Sequence, residues 1–331
     1  MLEPQWLIIL VVICGLIFDF TNGWNDAANA IATVVATRVL TPIQAVAMAA
    51  FFNVVGAFIS TKVAHTVGEG LLDPSQVNQT LVLAALVAGI TWNVIMTLMG
   101  LPISASHALV GGMVGAAVAK GGWGIVQFGG ITTVLVAMLL SPLLGGLFGY
   151  LLMKLIHLLV GNWPPTRVTH WFRRLQLISV AAVSFNHGSG DAQKVMGIVT
   201  LALLAGGFIP EFKVPIWVVF AAAMAMGLGT LAGGWGVIKT IGMKMAKLQP
   251  VHGFAAETGA ALFLALANFV EGVPVSSTHT LTGSIIGVGL ARRAKSVRWM
   301  VASKIIYAWV FTLPGCALVG WVMYRLLSLL V

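Results

Sequence analysis

The sequence predicts an all-α polytopic membrane protein made of two related halves, and three observations predict it. Of the 331 residues 59% are hydrophobic and only 8% charged, and the mean hydropathy is +0.99. The stretches 74–119, 121–153, 214–238 and 305–324 contain no Asp, Glu, Lys or Arg, and each is long enough to cross a hydrocarbon layer of roughly 30 Å. Finally, Phe20-Thr21-Asn22-Gly23-Trp24-Asn25-Asp26-Ala27 returns as Phe185-Asn186-His187-Gly188-Ser189-Gly190-Asp191-Ala192. Pro102-Ile103-Ser104-Ala105-Ser106-His107 returns as Pro274-Val275-Ser276-Ser277-Thr278-His279. The offsets are 165 residues from Asp26 to Asp191 and 172 from His107 to His279, so one ordered pair of motifs occurs twice with small insertions.

Taken in order, spans are expected near 5–20, 43–60, 80–100, 124–158, 174–185, 213–232, 253–270 and 299–325. The run 6–18 lacks a basic leader and a small-residue cleavage pattern, so it reads as a retained helix and not as a signal peptide. The segments after Gly23 and Gly188 open on Gly and Asn and then turn apolar, which predicts interrupted helices. Those opening at Pro102 and Pro274 are about 17 residues long, short for a full span and suited to re-entrant half-helices. Residues 161–172, with Pro164, Pro165 and the basic Arg167, form the linker between a first repeat at 1–160 and a second at 173–331.

A net charge of +9 suggests nucleic acid in a soluble protein. Here Lys and Arg sit in short loops between apolar segments, the distribution of the positive-inside rule, so no nucleic-acid partner is expected. Lys154, Arg167, Arg173 and Arg174 assign the linker to the cytoplasm. Cys14 and Cys316 lie in apolar segments and make neither a disulfide framework nor a metal site.

The chemistry is expected at helix termini. Pro102 and Pro274 open the half-helices, and Ser104, Ser106, Ser276, Ser277 and Thr278 follow where backbone N–H groups are free. Such donors, with the positive end of the helix dipole, make an anion site. Two of them facing each other across a pseudo-two-fold axis suit a tetrahedral oxyanion. Asn25, Asp26, Asn29 and Asp191 offer oxygens that suit Na⁺ or a proton, and an anion drawn into a negative interior needs such a co-transported cation. These features describe a secondary transporter. No cofactor is expected beyond the co-transported H⁺ or Na⁺.

At these residues the chain resembles the inorganic phosphate transporter (PiT) family, in its bacterial low-affinity type. Gly23-Trp24-Asn25-Asp26-Ala27-Ala28-Asn29 and Asp191-Ala192-Gln193-Lys194 match one family motif, and Pro102 to His107 and Pro274 to His279 match the other. The resemblance implies two inverted-topology repeats with broken helices and re-entrant half-helices, roughly 10–12 membrane elements. It also implies alternating access around a midplane phosphate site, a homodimer, and the cell (inner) membrane with its lipid as surroundings. The expected substrate is inorganic phosphate, free or as a metal-phosphate complex, bound by Ser104, Ser106, Ser276, Ser277, Thr278 and Gln193. The cation falls to Asn25, Asp26, Asn29, Asp191 and Glu257, with Na⁺ placed at Asp26, Asn29 and Asp191. The sequence departs from the family twice: Gly190 stands where Asn usually precedes the second Asp, and Asn53 stands where many Na⁺-coupled members carry Glu. Both changes thin the oxygen set of a Na⁺ site, so H⁺ coupling is favoured over Na⁺.

The remaining polar residues divide. His107 and His279 suit packing as well as proton relay, and Lys194 suits a local ion pair with Asp191 as well as phosphate contact. Asp19 and Glu271 have no repeat partner and are assigned a structural role. The pairs Gly111/Gly115 and Gly283/Gly287 read as small-residue packing seams. Three alternatives stand beside the transporter of phosphate. A sulfate permease of the same fold would use the same hydroxyls. An anion channel would leave the paired carboxylates without use. An intramembrane aspartyl protease would read Gly188-Ser189-Gly190-Asp191 as its signature with Asp19 as second acid, but the Pro-Ala-Leu element it requires is absent. No enzyme is expected.

Overall fold

A computed structural model describes residues 5–330; the outermost ends of the two expected repeats, 1–4 and 331, lie outside it. Twelve α-helices follow one another: α1 Trp6–Ala36, α2 Pro42–Ala57, α3 Lys62–Glu69, α4 Gln79–Leu98, α5 Ala105–Gly121, α6 Phe128–Val160, α7 Pro165–Ala205, α8 Ile216–Ala232, α9 Trp235–Ile238, α10 Pro250–Ala265, α11 Ser277–Arg292 and α12 Trp299–Leu327. Helix α9 runs into a π-helical turn, Lys239–Lys244, and α10 into another, Leu266–Glu271. Six of these segments are long and apolar enough to cross a membrane, or eight if each bent pair counts as one span. The protein is a multi-pass membrane protein.

The order of elements is the same from α1 to α6 as from α7 to α12. Helix α2 bends by 73° into α3, and α8 bends by 64° into α9 with its π-turn. A short extended strap precedes α5 and another precedes α11. Each of these half-helices ends in a 3₁₀ turn followed by an isolated bridge, Leu72 with Val126 and Ala246 with Val297. The long helices α6 and α12 each carry an internal proline, Pro142 and Pro314.

The halves interlock. Half-helix α5 packs chiefly on α12 and α11 chiefly on α6. Gly111 and Gly115 lie against the backbone carbonyls of Leu313 and Ala317, and Gly283 and Gly287 against those of Pro142 and Gly146, so a side chain at any of them would meet the neighbouring backbone. Without a hydrophobic force between helices in lipid, such close approach supplies the packing.

Two expectations need correction. No helix breaks at Gly23 or Gly188: α1 and α7 run unbroken through both motifs. These glycines let other helices approach, Gly23 at the carbonyl of Met226 and Gly188 at that of Asn53. The irregular backbone lies instead between α2 and α3, at Gly233 with its φ of +61°, and in the two π-turns. The linker is shorter than 161–172, because Pro165 serves as the first helical residue of α7, a position where its missing N–H costs nothing.

Candidate ion and substrate site

Helices α1 and α7 run antiparallel through the centre. Gly15 meets Val195 and Val199 near one end, and Thr37 donates to Gln176 at 2.9 Å near the other. On α1 the residues Asp19, Asn22, Asp26, Asn29 and Thr33 recur at alternating steps of three and four, which places them on one face. All five are buried. In a lipid-embedded chain that face is the polar track of the protein.

At its middle the two motif aspartates meet. Asp26, His187 and Asp191 each place one ligand atom within 4.8 Å of the others. Nε2 of His187 lies 3.3 Å from Oδ2 of Asp191 and 3.7 Å from Oδ2 of Asp26. The tautomer follows from the hydrogen-bond chain. Thr230 donates its hydroxyl to the Met226 carbonyl at 3.0 Å, so it accepts from Nδ2 of Asn53 at 2.8 Å. Asn53 therefore turns Oδ1 to Nδ1 of His187, 3.2 Å away, and Nδ1 carries a hydrogen. Nε2 is left facing two carboxylates. A lone pair there is repelled by both, so a positive charge or proton belongs at this point.

Helix α11 delivers the hydroxyls. Ser277 donates to Oδ2 of Asp191 at 2.8 Å, and the Thr278 hydroxyl lies 3.0 Å from Oδ1 of Asp26 and 2.8 Å from the Ile103 carbonyl. Asn29 directs Nδ2 to Thr278 at 2.9 Å and to Ser277 at 3.5 Å, while its buried Oδ1 accepts from no group among the described residues. Lys194 forms an ion pair with Oδ1 of Asp191 and reaches the Val275 carbonyl at 3.3 Å. The N-terminal residues of α11 thus lie between the two aspartates, next to Ile103 of the strap that leads into α5.

Ser104 and Ser276 are the N-caps of α5 and α11, accepting from the N–H of His107 at 3.3 Å and of His279 at 3.2 Å. Ser106 is buried at the position in α5 that matches Thr278. Asn25 fastens the strap before α5: Nδ2 reaches Thr97 at 2.8 Å and the Leu101 carbonyl at 3.4 Å, and Oδ1 faces the N–H of Ile103 at 3.5 Å. Glu257 stands apart from the aspartates. It accepts from Thr33, Ser179 and, at 3.0 Å, Gln176, forming a second buried polar cluster beyond the Asn29 end of the track.

Three sequence expectations change here. Gln193 is not on the aspartate face: its Oε1 accepts from the N–H groups of Val63 at 2.9 Å and Ala64 at 3.4 Å, so it caps α3, whose own N-cap residue makes no side-chain bond. On α7 it lies off the face shared by His187, Asp191 and Lys194. The space beside Gly190 is filled by another amide, that of Asn268, whose Nδ2 donates to the Asn186 carbonyl at 2.8 Å. A Cβ on Gly190 would lie 2.8 Å from both amide atoms of Asn268, which the π-turn after α10 brings over the glycine. Asn53 does not simply remove a cation ligand, because it holds His187.

His107 and His279 meet each other, ring centroids 4.7 Å apart, and His279 packs at a tilt of 31° on Trp309, centroids 3.8 Å apart. Sequence reasoning passed over His187, Asn268, Thr33, Gln176 and Ser179. The signal for His187 was present: it stands four residues before Asp191, on the same helical face. Asn268 left no such signal, since its role depends on the extra residue of a π-turn.

The family model described as the phosphate transporter family matches residues 22–320. A protein of Rhizobium meliloti named probable low-affinity inorganic phosphate transporter is 45% identical over 320 residues, covering 96% of each chain. One of Bacillus subtilis with the same name is 42% identical, covering 98% of each. A solved structure titled the sodium-dependent phosphate transporter superposes with a TM-score of 0.91 at 25% identity, covering 99% of this chain and 100% of that one.

Proposed function

The chain belongs to the phosphate transporter family, and on that premise we propose that it imports inorganic phosphate across the cell membrane by symport with protons. It is a transporter and not an enzyme. The observation that carries the proton reading is His187, held by Asn53 with Nε2 between Asp26 and Asp191. A proton on any of these three groups relieves the repulsion, whereas a metal cation would have to displace the imidazole or use it as a ligand.

The same contacts give a route to coupling. Ser277 and Thr278 direct their hydroxyls to the carboxylates. A protonated carboxyl no longer requires those donors, so they become free to turn to an arriving phosphate, together with the free N–H groups that open α5 and α11. Ser106 supplies a hydroxyl from the first repeat. Cation first and anion second is therefore the favoured order. The antiparallel course of α1 and α7, equivalent helices of the two halves, supports inverted-topology repeats on either side of the shortened linker, the second opening with α7 at Pro165, and alternating access around the site between them. Residues 161–172 are assigned to the cytoplasm, and the functional unit to a homodimer.

A Na⁺-coupled reading rests on the uncommitted Oδ1 of Asn29 beside Asp26 and Asp191, and the structural neighbour is described as sodium-dependent. Labelled phosphate uptake into proteoliposomes decides. An inward proton gradient without Na⁺ is expected to drive it, a protonophore to collapse it, and sulfate in tenfold excess to leave it largely unchanged. Strict Na⁺ dependence at fixed pH and potential overturns the proton reading, and uptake of sulfate in place of phosphate overturns the substrate.

A further inference from the structure

On α1 the residues one and two turns before Asp26 are Asn22 and Asp19, and neither has a hydrogen-bond partner among the described residues. Both side chains have 0% exposure, and no group of the described residues hydrogen-bonds to either carboxylate oxygen of Asp19 or to either amide atom of Asn22. A structural carboxylate or amide would be held by donors, as Glu257 is held by Thr33, Ser179 and Gln176. An ionised carboxyl without donors is not tolerated inside a membrane protein, and such a residue marks an ion pathway.

The surrounding charges do not balance it. Helices α4 and α8, which pack on α1, carry no charged residue. Helix α7 brings Lys194 and Asp191, but the ammonium is taken by Asp191 and the Val275 carbonyl. Lys239 and Lys244 belong to the π-turn that meets α1 at the other end, where Gly242 touches Ala32.

We propose that Asp19 and Asn22 form a second site for the coupling cation. Asp19 lies seven residues before Asp26, and Thr33, which bonds Glu257, lies seven after, so each step along the track is about 10 Å. The carboxylates of Asp19, Asp26 with Asp191, and Glu257 then form three stations along one helix. Asp19 bears the cation and the Asn22 amide oxygen adds a second ligand atom. With the 161–172 linker cytoplasmic, as the orientation above has it, Asp19 lies on the external side and receives the cation before the central pair does.

The test separates coupling from binding. Asp19→Asn and wild type are reconstituted, and net phosphate uptake is compared under whichever gradient, H⁺ or Na⁺, drives the wild type. Phosphate counterflow is measured alongside at equal ion concentrations on both sides. The expected result is a loss of net uptake of at least tenfold, with counterflow within twofold of wild type and fewer cations moved per phosphate. Unchanged net uptake overturns the proposal. So does loss of uptake and counterflow together, which assigns Asp19 to the fold. Asn22→Ala, which leaves the carboxyl in place, is expected to raise the cation concentration giving half-maximal uptake several-fold; no shift removes Asn22 from the site. The wild-type gradient experiment fails or succeeds on its own, so the identity of the ion is decided separately from the existence of this station.

Discussion

His187 sets the charge balance of the centre because Asn53 fixes which nitrogen faces the aspartates. His187→Gln keeps a group able to bond Asn53 but removes the titratable nitrogen, and gradient-driven uptake is expected to fall at least tenfold with membrane abundance unchanged. Native uptake in that variant would exclude His187 from coupling. Asp26→Asn and Asp191→Asn should each abolish coupled uptake, since both carboxylates share the centre; native rates in either would break the two-sided site. The exchange between positions 190 and 268 is also testable. Gly190→Asn places a side chain onto the Asn268 amide, an overpacking expected to cost about 1–3 kcal/mol. Adding Asn268→Ala makes room, so the double variant should recover thermal stability in detergent relative to Gly190→Asn. Additive losses would refute the exchange.

The elements that carry the site are the two half-helices, and both were legible from Pro102 and Pro274 followed by Ser and Thr at the head of short apolar runs. Proline and hydroxyl capping act locally, so the sequence displays them. The interruptions were not legible in the same way. Gly23 and Gly188 looked like breaks, yet a glycine in a membrane helix also serves as a place where a neighbouring backbone comes close, and only the neighbour tells the two apart. Two changes test these elements. Ser276→Ala removes the cap that receives the His279 N–H and is expected to cost about 0.5–2 kcal/mol, read as a lower unfolding midpoint with a raised KM for phosphate. Gly287→Leu drives a side chain into the Gly146 carbonyl and should separate α11 from α6, leaving little folded protein by size-exclusion chromatography. Full retention of fold in that variant would contradict the close seam.

At the scale of the whole molecule, the orientation rests on Lys154, Arg167, Arg173 and Arg174 near the ends of α6 and α7. A cysteine at exposed Thr166 should react with a membrane-impermeant thiol reagent in inside-out vesicles and not in intact cells, against the parent protein as background for Cys14 and Cys316. Labelling from outside would invert the orientation and move Asp19 to the cytoplasmic side. The sequence by itself determined the membrane class, the doubling of the motifs, the half-helices and the aspartates, because hydropathy, repetition and capping are properties of neighbours along the chain. Tertiary structure alone decided that Asp26 and Asp191 meet around His187, that Asn268 stands over Gly190, that Gln193 turns away to cap α3, and that Glu257 gathers Thr33, Gln176 and Ser179. Those contacts join residues 78 to 224 positions apart, or turn on which face of α7 a residue occupies, and no local preference of the chain records how two helices will be rotated against each other.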